Sequence, residues 1–237
     1  MVQRMSARSD GTVDRLLSSK GIDEAGAARR AEFLEIASDV FAKRGYEAPS
    51  VAELAAAFGL QKATFYHYFE SKEALLQAVL RSGIDRIYDE AVQIVAANAD
   101  PVERLNALLA CHARHVVQEG SRVVVYLVER QVLSPAFQKE YLRLRRQYDD
   151  LFVATIQEGQ RQRLIRQGDA RLMAYGLIGM YNWLVQWYQP SGARTIEQIY
   201  DIFCGIAFHG VLEPQGTEVV TVPTLKGRHR RARKPQT

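Results

Sequence analysis

The sequence predicts an all-α protein in which three N-terminal helices, the second and third of them short, precede six more. Two observations favour this fold class. Apolar residues recur at helical spacing from about Ala27 onward, while segments with strand-like alternation are almost absent. Brief interruptions rich in Gly, Pro, Ser and Asp then divide the chain into helix-length pieces.

The first predicted helix runs from about Ala27 to Arg44 and stops at Gly45. The tetrapeptide Ser50-Val51-Ala52-Glu53 is a capping box, which predicts a short second helix that ends at Gly59. A third short helix begins near Gln61. Two short helices joined by a tight turn are typical of a helix-turn-helix.

Beyond Ser71 we expect six helices, separated by five breaks that contain helix-stopping or helix-capping residues. These breaks are Asn98–Pro101, Glu119–Ser121, Ser134–Pro135, Gln167–Asp169 and Pro190–Gly192.

Composition places limits on the class of protein. The content of hydrophobic residues is 47%, as in folded globular chains, but no apolar run is long enough to cross a bilayer. The N-terminus lacks the apolar core of a signal peptide, and only Cys111 and Cys204 are present, so we expect a reducing, cytoplasmic location without membrane contact.

Charge is unevenly distributed. Six of the 31 basic residues and two of the 27 acidic residues lie in 213–237, which leaves 25 of each sign elsewhere. Net charge therefore supports nucleic-acid binding only weakly, although the basic tail could add salt-sensitive affinity for DNA. We divide the chain into a flexible arm (1–26), a helix-turn-helix domain (27–70), a larger helical domain (71–212) and a disordered basic tail (213–237).

At about 100° per residue, the third helix separates into two faces. Its packing face carries three aromatic residues, Phe65, Tyr68 and Phe69. Its outward face carries a cation, a small residue and two hydrogen-bonding rings, namely Lys62, Ala63, Tyr66 and His67. Thr64 lies on the boundary between the faces. Such a face suits contact with base edges and phosphates in a major groove.

The segment Ala27 to Leu76 resembles the DNA-binding domain of the TetR family of one-component regulators. The resemblance is most specific from Gly59 to Leu76, which includes Tyr66-His67-Tyr68-Phe69 and Ser71-Lys72-Glu73. At Gln61-Lys62-Ala63 the sequence departs from the Ser-Lys-Gly or Ser-Arg-Gly of many members, which leaves the operator sequence open.

The resemblance implies a dimer that binds double-stranded operator DNA. It assigns base reading to Lys62, Ala63 and Thr64, with Gln61 at the start of the same helix, and phosphate contacts to Ser50, Tyr66, His67 and Lys72. The alternative is that the aromatic run is only a structural core and that single residues such as His67 merely pack.

The later helices resemble the family's ligand-binding and dimerisation domain. The run from Gly179 to Gly192, followed by Arg194 to Ile199, is similar to a branch that responds to fatty acyl-CoA or related CoA thioesters. This resemblance implies a small hydrophobic effector and no bound cofactor. Gly176 and Gly179, together with the apolar last helix, predict a four-helix homodimer interface.

Candidate effector-binding residues combine apolar bulk with a few polar groups. They are Tyr126, Arg130, Tyr148, Phe152, Met180, Asn182 and Trp183, with Glu129, Tyr141 and Met173 as further candidates. Arg114, Arg122 and Arg130 could contact CoA phosphates, although a solvated arginine is the commoner explanation. Cys111, His112 and His115 suggest a metal site, but no fourth ligand is evident, so we expect no metal.

Together these features predict a three-helix helix-turn-helix DNA-binding domain followed by a six-helix ligand-binding and dimerisation domain. The function that follows is a ligand-released transcriptional repressor. An activator of the same family, an all-α enzyme acting on a CoA ester and an adaptor without DNA contact are the alternatives. The enzyme is disfavoured because the sequence contains no glycine-rich phosphate loop and no Gly-x-Ser-x-Gly elbow.

Overall fold

A computed structural model of the chain describes residues 24–120, 122, 125 and 132–209. These residues form helices joined by short connections and contain no β-strand, which confirms the all-α prediction. The helices are α1 Glu24–Arg44, α2 Val51–Ala57, α3 Lys62–Tyr68, α4 Lys72–Ala97, α5 Pro101–Gln118, α6 Pro135–Arg161, α7 Ala170–Asn182, α8 Leu184–Trp187 and α9 Ile196–His209. Residues Gly120, Arg122 and Val125 are also helical.

The helix ends lie where local side-chain chemistry favours them. Ser50 and Glu53 form the predicted capping box of α2. Asp100 and Asp169 each accept two backbone N–H groups at the starts of α5 and α7. Gly59 ends α2 with φ +71°, a left-handed conformation in which a side chain would be strained.

Two hydrophobic cores are present, and α4 contributes to both. Its first turns, from Leu75 to Leu80, pack with α1, α2 and α3. Its later residues Ile84, Ile87 and Ala91 pack with α5, α6 and α7. The N-terminal core also contains Val125, Leu133 and Phe137 from beyond α5. One continuous helix therefore connects the helix-turn-helix to the larger domain.

Among the described residues, the structure differs from the predicted breaks at two places. The helix expected to continue to Gln167 ends at Arg161. The helix expected between Asp169 and Pro190 is interrupted at Trp183, which separates α7 from α8. At this interruption Leu184 is fully buried in the core, while Trp183 is 64% exposed. The predicted arm lies outside the described residues up to residue 23, and its last three residues begin α1. The predicted tail lies wholly outside them.

No helix among the described residues is long and apolar enough to span a membrane.

Candidate nucleic-acid interface and effector cavity

Stacked aromatic rings hold α3 against α1 and α2. The Phe33 and Phe58 rings stack with centroids 4.7 Å apart, and the Phe58 and Phe65 rings stack at 6.2 Å. Tyr68 meets Phe33 edge-on at 4.9 Å. Because Phe65 and Phe69 are buried, the orientation of α3 about its own axis is fixed by packing.

The opposite face of α3 is open to solvent. Lys62, Ala63, Tyr66 and His67 are exposed, and Thr64 is half-buried at the boundary. Gln61 caps the helix without a side-chain hydrogen bond, and its side chain is exposed. The structure therefore gathers the predicted base-reading residues on one accessible surface of a short helix.

The two flanking phosphate candidates lie at helix starts. Ser50 Oγ accepts the Glu53 N–H at 3.2 Å, while Glu53 Oε2 accepts the Ser50 N–H at 2.8 Å. The Lys72 ammonium group donates to the Glu47 carbonyl at 3.0 Å and lies 4.5 Å from the Tyr46 ring centroid. Lys72 thus joins α4 to the loop before α2 and keeps a cation at the N-terminal end of α4.

A cavity of about 120 Å³ lies inside the larger domain. Its walls come from α4, α5, α6 and α7, with Arg122 between them in sequence. The lining residues are Leu80, Gly83, Ile84, Ile87, His112, His115, Val116, Glu119, Arg122, Tyr141, Arg145, Tyr148, Asp149, Ile178 and Asn182. An apolar chamber with a few polar groups is typical of a small-molecule site.

Three of the predicted effector residues, Tyr141, Tyr148 and Asn182, line this cavity. Phe152 does not, because it is fully buried in the core one turn further along α6. Met180 packs against that core outside the lining, and Trp183 points away from it into solvent. The candidates Tyr126 and Arg130, with Glu129, lie outside the described residues.

At one end of the cavity, His112 and Tyr148 form a buried polar pair. His112 Nδ1 lies 3.0 Å from the Tyr148 hydroxyl, and both side chains are buried. Burial lowers the pKa of His112 to about 4, more than the neighbouring Asn182 side chain and Ile178 carbonyl raise it. His112 is therefore an uncharged imidazole at physiological pH.

The other end is charged and touches the DNA-binding domain. Arg122, with only 5% of its side chain exposed, pairs with Glu119 and lies 2.9 Å from Glu35 Oε1 of α1. Arg86 of α4 contacts the same two carboxylates, at 2.6 Å for Glu119 and 3.3 Å for Glu35. The prediction that Arg122 is solvated is wrong, because its side chain is buried and pairs with Glu119, three residues before it, and with Glu35 of α1.

The histidine and cysteine cluster divides between two networks. His115 Nε2 lies 2.8 Å from Glu90 Oε2 of α4, whereas His112 faces Tyr148. Donor atoms of Glu90, Cys111 and His115 lie within 4.8 Å of one another, so α4 supplies a third donor that the sequence did not suggest. Glu90 also pairs with Arg114, whose positive charge disfavours a cation at this place. Burial raises the pKa of the Cys111 thiol to about 12, which further disfavours a thiolate ligand.

Several lining residues were not predicted from the sequence to bind the effector. His112 and His115 lie on the buried face of α5, and Glu119, the residue that caps its C-terminal end, is buried as well. Polar residues on the apolar side of an amphipathic helix are the signal that could have identified them. Gly83 in α4 gives a second signal, because a Cβ there would lie 3.0 Å from the Arg122 Cδ.

A further surface is apolar and exposed. It consists of large side chains on α7 and α9 and at the break between α7 and α8, namely Leu172, Tyr175, Trp183, Ile202 and Ile206. A Cβ added at Gly176 or Gly179 would meet nothing within 4 Å. This surface resembles one side of a helix-packing interface.

Comparison with known proteins gives matches along most of the chain. Residues 33–79 match the family described as bacterial regulatory proteins, tetR family, and residues 98–211 match the tetracyclin repressor-like C-terminal domain. The HTH-type transcriptional repressor KstR2 of Mycolicibacterium smegmatis is 30% identical over 192 residues, which cover 80% of this chain and 94% of that relative.

Solved structures of similar fold agree. The TetR family regulator PfmR from Thermus thermophilus superposes with a TM-score of 0.72 at 29% identity, covering 76% of this chain and 99% of PfmR. AibR in complex with isovaleryl coenzyme A and operator DNA gives a TM-score of 0.69 at 32% identity, covering 76% of this chain and 98% of AibR.

Proposed function

The chain belongs to the TetR family of transcriptional regulators, and from this membership we propose that it is a ligand-released repressor. It binds a pseudo-palindromic operator as a homodimer, and a small hydrophobic effector, an acyl-CoA or related CoA thioester, releases it. Members of this family are DNA-binding proteins rather than enzymes, which removes the enzyme alternative. The observation that carries the proposal is the cavity, since α4 forms one wall of it and also begins in the DNA-binding core.

The exposed face of α3 supports operator binding. Lys62, Ala63 and Thr64 occupy its first turn, where a recognition helix approaches base edges. Tyr66 and His67 follow on the same exposed side. A basic group, a small side chain and hydrogen-bonding rings together fit a major groove and its phosphates.

The apolar surface on α7 and α9 supports the homodimer. Ile202 is 58% exposed and Trp183 is 64% exposed in the single chain, and a partner copy would remove both from water. Two reading helices related by a two-fold axis would then meet successive major grooves roughly 34–36 Å apart on a pseudo-palindrome.

The cavity supports a small effector with a largely apolar body. At about 120 Å³ it is somewhat smaller than the roughly 150 Å³ cavity that holds benzene, so it suits a short acyl group rather than a whole coenzyme. Isovaleryl coenzyme A in the AibR complex supports a CoA thioester as the effector class. Repression is supported by the name of the KstR2 relative.

A mobility-shift titration on the DNA upstream of the protein's own gene tests the proposal. We expect retardation at low salt and release by at least one member of an acyl-CoA panel that includes isovaleryl-CoA. The variant Val116→Phe, which places a ring into the cavity wall, should still retard DNA but no longer respond to the ester. Failure to retard any fragment at low salt would contradict DNA binding, whereas retardation insensitive to every ester would contradict only the effector class.

A further inference from the structure

We propose that Arg122 holds an anionic oxygen group of the effector, and that this group displaces Glu35 of the DNA-binding domain from the arginine. The inference rests on the proposed effector cavity and adds the chemistry at its charged end. It names an acidic group, either a carboxylate of the acyl part or a phosphate of CoA, as the feature that the protein recognises.

The argument begins with the hydrogen-bonding capacity of the guanidinium. Arg122 is buried and lines the cavity, yet its Nε has no hydrogen-bond partner among the described residues. Its Nη1 is occupied by Glu119. Its Nη2 lies 2.9 Å from Glu35 Oε1, as an ion pair without good hydrogen-bond geometry. A buried donor left unpaired is costly, so this edge of the arginine favours an acceptor.

The geometry of the fork determines which acceptor fits. Nε and Nη2 form one edge of the planar guanidinium, and a carboxylate or phosphate binds such an edge through two parallel hydrogen bonds. Glu35 contacts only Nη2 of this edge. A ligand that takes both nitrogens therefore competes directly with Glu35 and gains the bond that Glu35 does not make.

Packing and an ion pair also fix the position of the Arg122 side chain. Its Cδ lies against Gly83 of α4, at 3.0 Å from where a Cβ would stand. Glu119, whose side chain is 10% exposed, anchors Nη1 and is itself held by Arg86. Since these contacts fix the arginine, the half-exposed Glu35 is the partner most free to leave.

Displacement of Glu35 affects the exposed face of α3 through α1. Glu35 lies between Leu34 and Ala37, which are buried in the core that orients α3. Arg122 and Arg86 together lower the pKa of Glu35, which shows that the pairing favours the charged carboxylate. The Arg122–Glu35 pair is present without effector and lost when the effector binds. This difference between the two states is what ligand-induced release requires.

The test measures binding of short carboxylates and CoA esters by calorimetry, and DNA release by anisotropy, on the full chain. Succinate is titrated as the free anion, and butyryl-CoA is compared with succinyl-CoA, because these two esters differ only in a terminal carboxylate. Wild-type protein should bind succinyl-CoA roughly ten-fold or more tightly than butyryl-CoA, and Arg122→Lys, which keeps the charge but lacks the Nε–Nη2 edge, should abolish this preference. An equal loss for both CoA esters and for CoA alone in Arg122→Lys would place a CoA phosphate at the arginine instead.

Glu35→Gln supplies the complementary test and should fold, because the side chain is 55% exposed. It removes the competitor, so we expect tighter anion binding together with weaker coupling between anion and DNA release. Glu32→Gln, at an exposed position on the same helix, should change neither. Unchanged anion affinity in both Arg122→Lys and Glu35→Gln would overturn the inference. Binding of succinate without binding of any CoA ester would contradict the CoA effector while leaving the Arg122 site intact.

Discussion

Acidification should destabilise this protein through one buried histidine. His112 is fully buried against Tyr148, and burial lowers its pKa from the ordinary value of 6.5 to about 4. Between pH 6.5 and about pH 4, His112 is therefore protonated in the unfolded chain but neutral in the folded chain. The contribution of this pKa difference to the free energy of unfolding is fully present above about pH 6.5. It is lost progressively as the pH falls toward 4.

The size of the effect follows from these two pKa values. Between pH 7.5 and pH 5.0, linkage gives a loss of about 2 kcal/mol in the free energy of unfolding. For a chain of this length, that loss corresponds to a decrease in melting temperature of roughly 4–8 °C. Other groups also have shifted pKa values, since burial raises the pKa of Asp149 and pairing with Arg122 lowers that of Glu35. Only the difference between matched variants isolates the histidine.

We would measure urea unfolding by tryptophan fluorescence at pH 7.5 and 5.0, at one fixed protein concentration. His112→Gln retains a hydrogen-bonding side chain toward Tyr148 but cannot titrate, so it should lose about 2 kcal/mol less than the wild type between these pH values. His209→Gln, at an exposed histidine of α9, serves as the matched control and should behave as wild type. Equal pH dependence in wild type and His112→Gln would refute the reasoning.

Three further predictions concern other parts of the molecule. Lys62→Ala should weaken DNA binding. If the lysine contacts a phosphate, the slope of log affinity against log salt should also fall by about one. Lys139→Ala, at an exposed position of α6, should leave the slope unchanged, and equal slopes for the two variants would contradict a phosphate contact. Ile202→Glu should dissociate the dimer at micromolar concentration in sedimentation velocity, and a dimer that survives this change but not Leu142→Glu would contradict an interface on α9. Gly59→Ala should cost about 1–2 kcal/mol in chemical denaturation because φ is +71°, and no loss would show that this turn relaxes.

Much of the fold was predictable because its signals are local. The capping box at Ser50, the stop at Gly59 and the caps before Pro101 and Pro135 each act within a few residues. The two faces of α3 follow from helical geometry alone. The break at Trp183 was missed, because no Gly or Pro marks it in the sequence.

The cavity was only partly predictable because it depends on how distant segments meet. Tyr148 and Phe152 have the same aromatic character and lie on one helix, yet only Tyr148 reaches the chamber. The ion pair of Arg122 with Glu35 joins two segments that are far apart in the sequence and belong to different domains. Residue type and spacing do not contain this information, whereas the packing of α4 against its neighbours does.

The shared helix α4 also determines how this protein can be divided for engineering. A fragment that ends near residue 70 would retain Phe65 and Phe69 but lose Leu75 and Leu76, which close the same core. Phe137, from the start of α6, would be missing as well. A hybrid regulator could join this helix-turn-helix domain to the ligand-binding domain of another protein at the loop before α4. Such a hybrid would therefore expose apolar surface at the junction. The crossover point must lie further along α4, and the graft must carry the matching contacts from the start of α6.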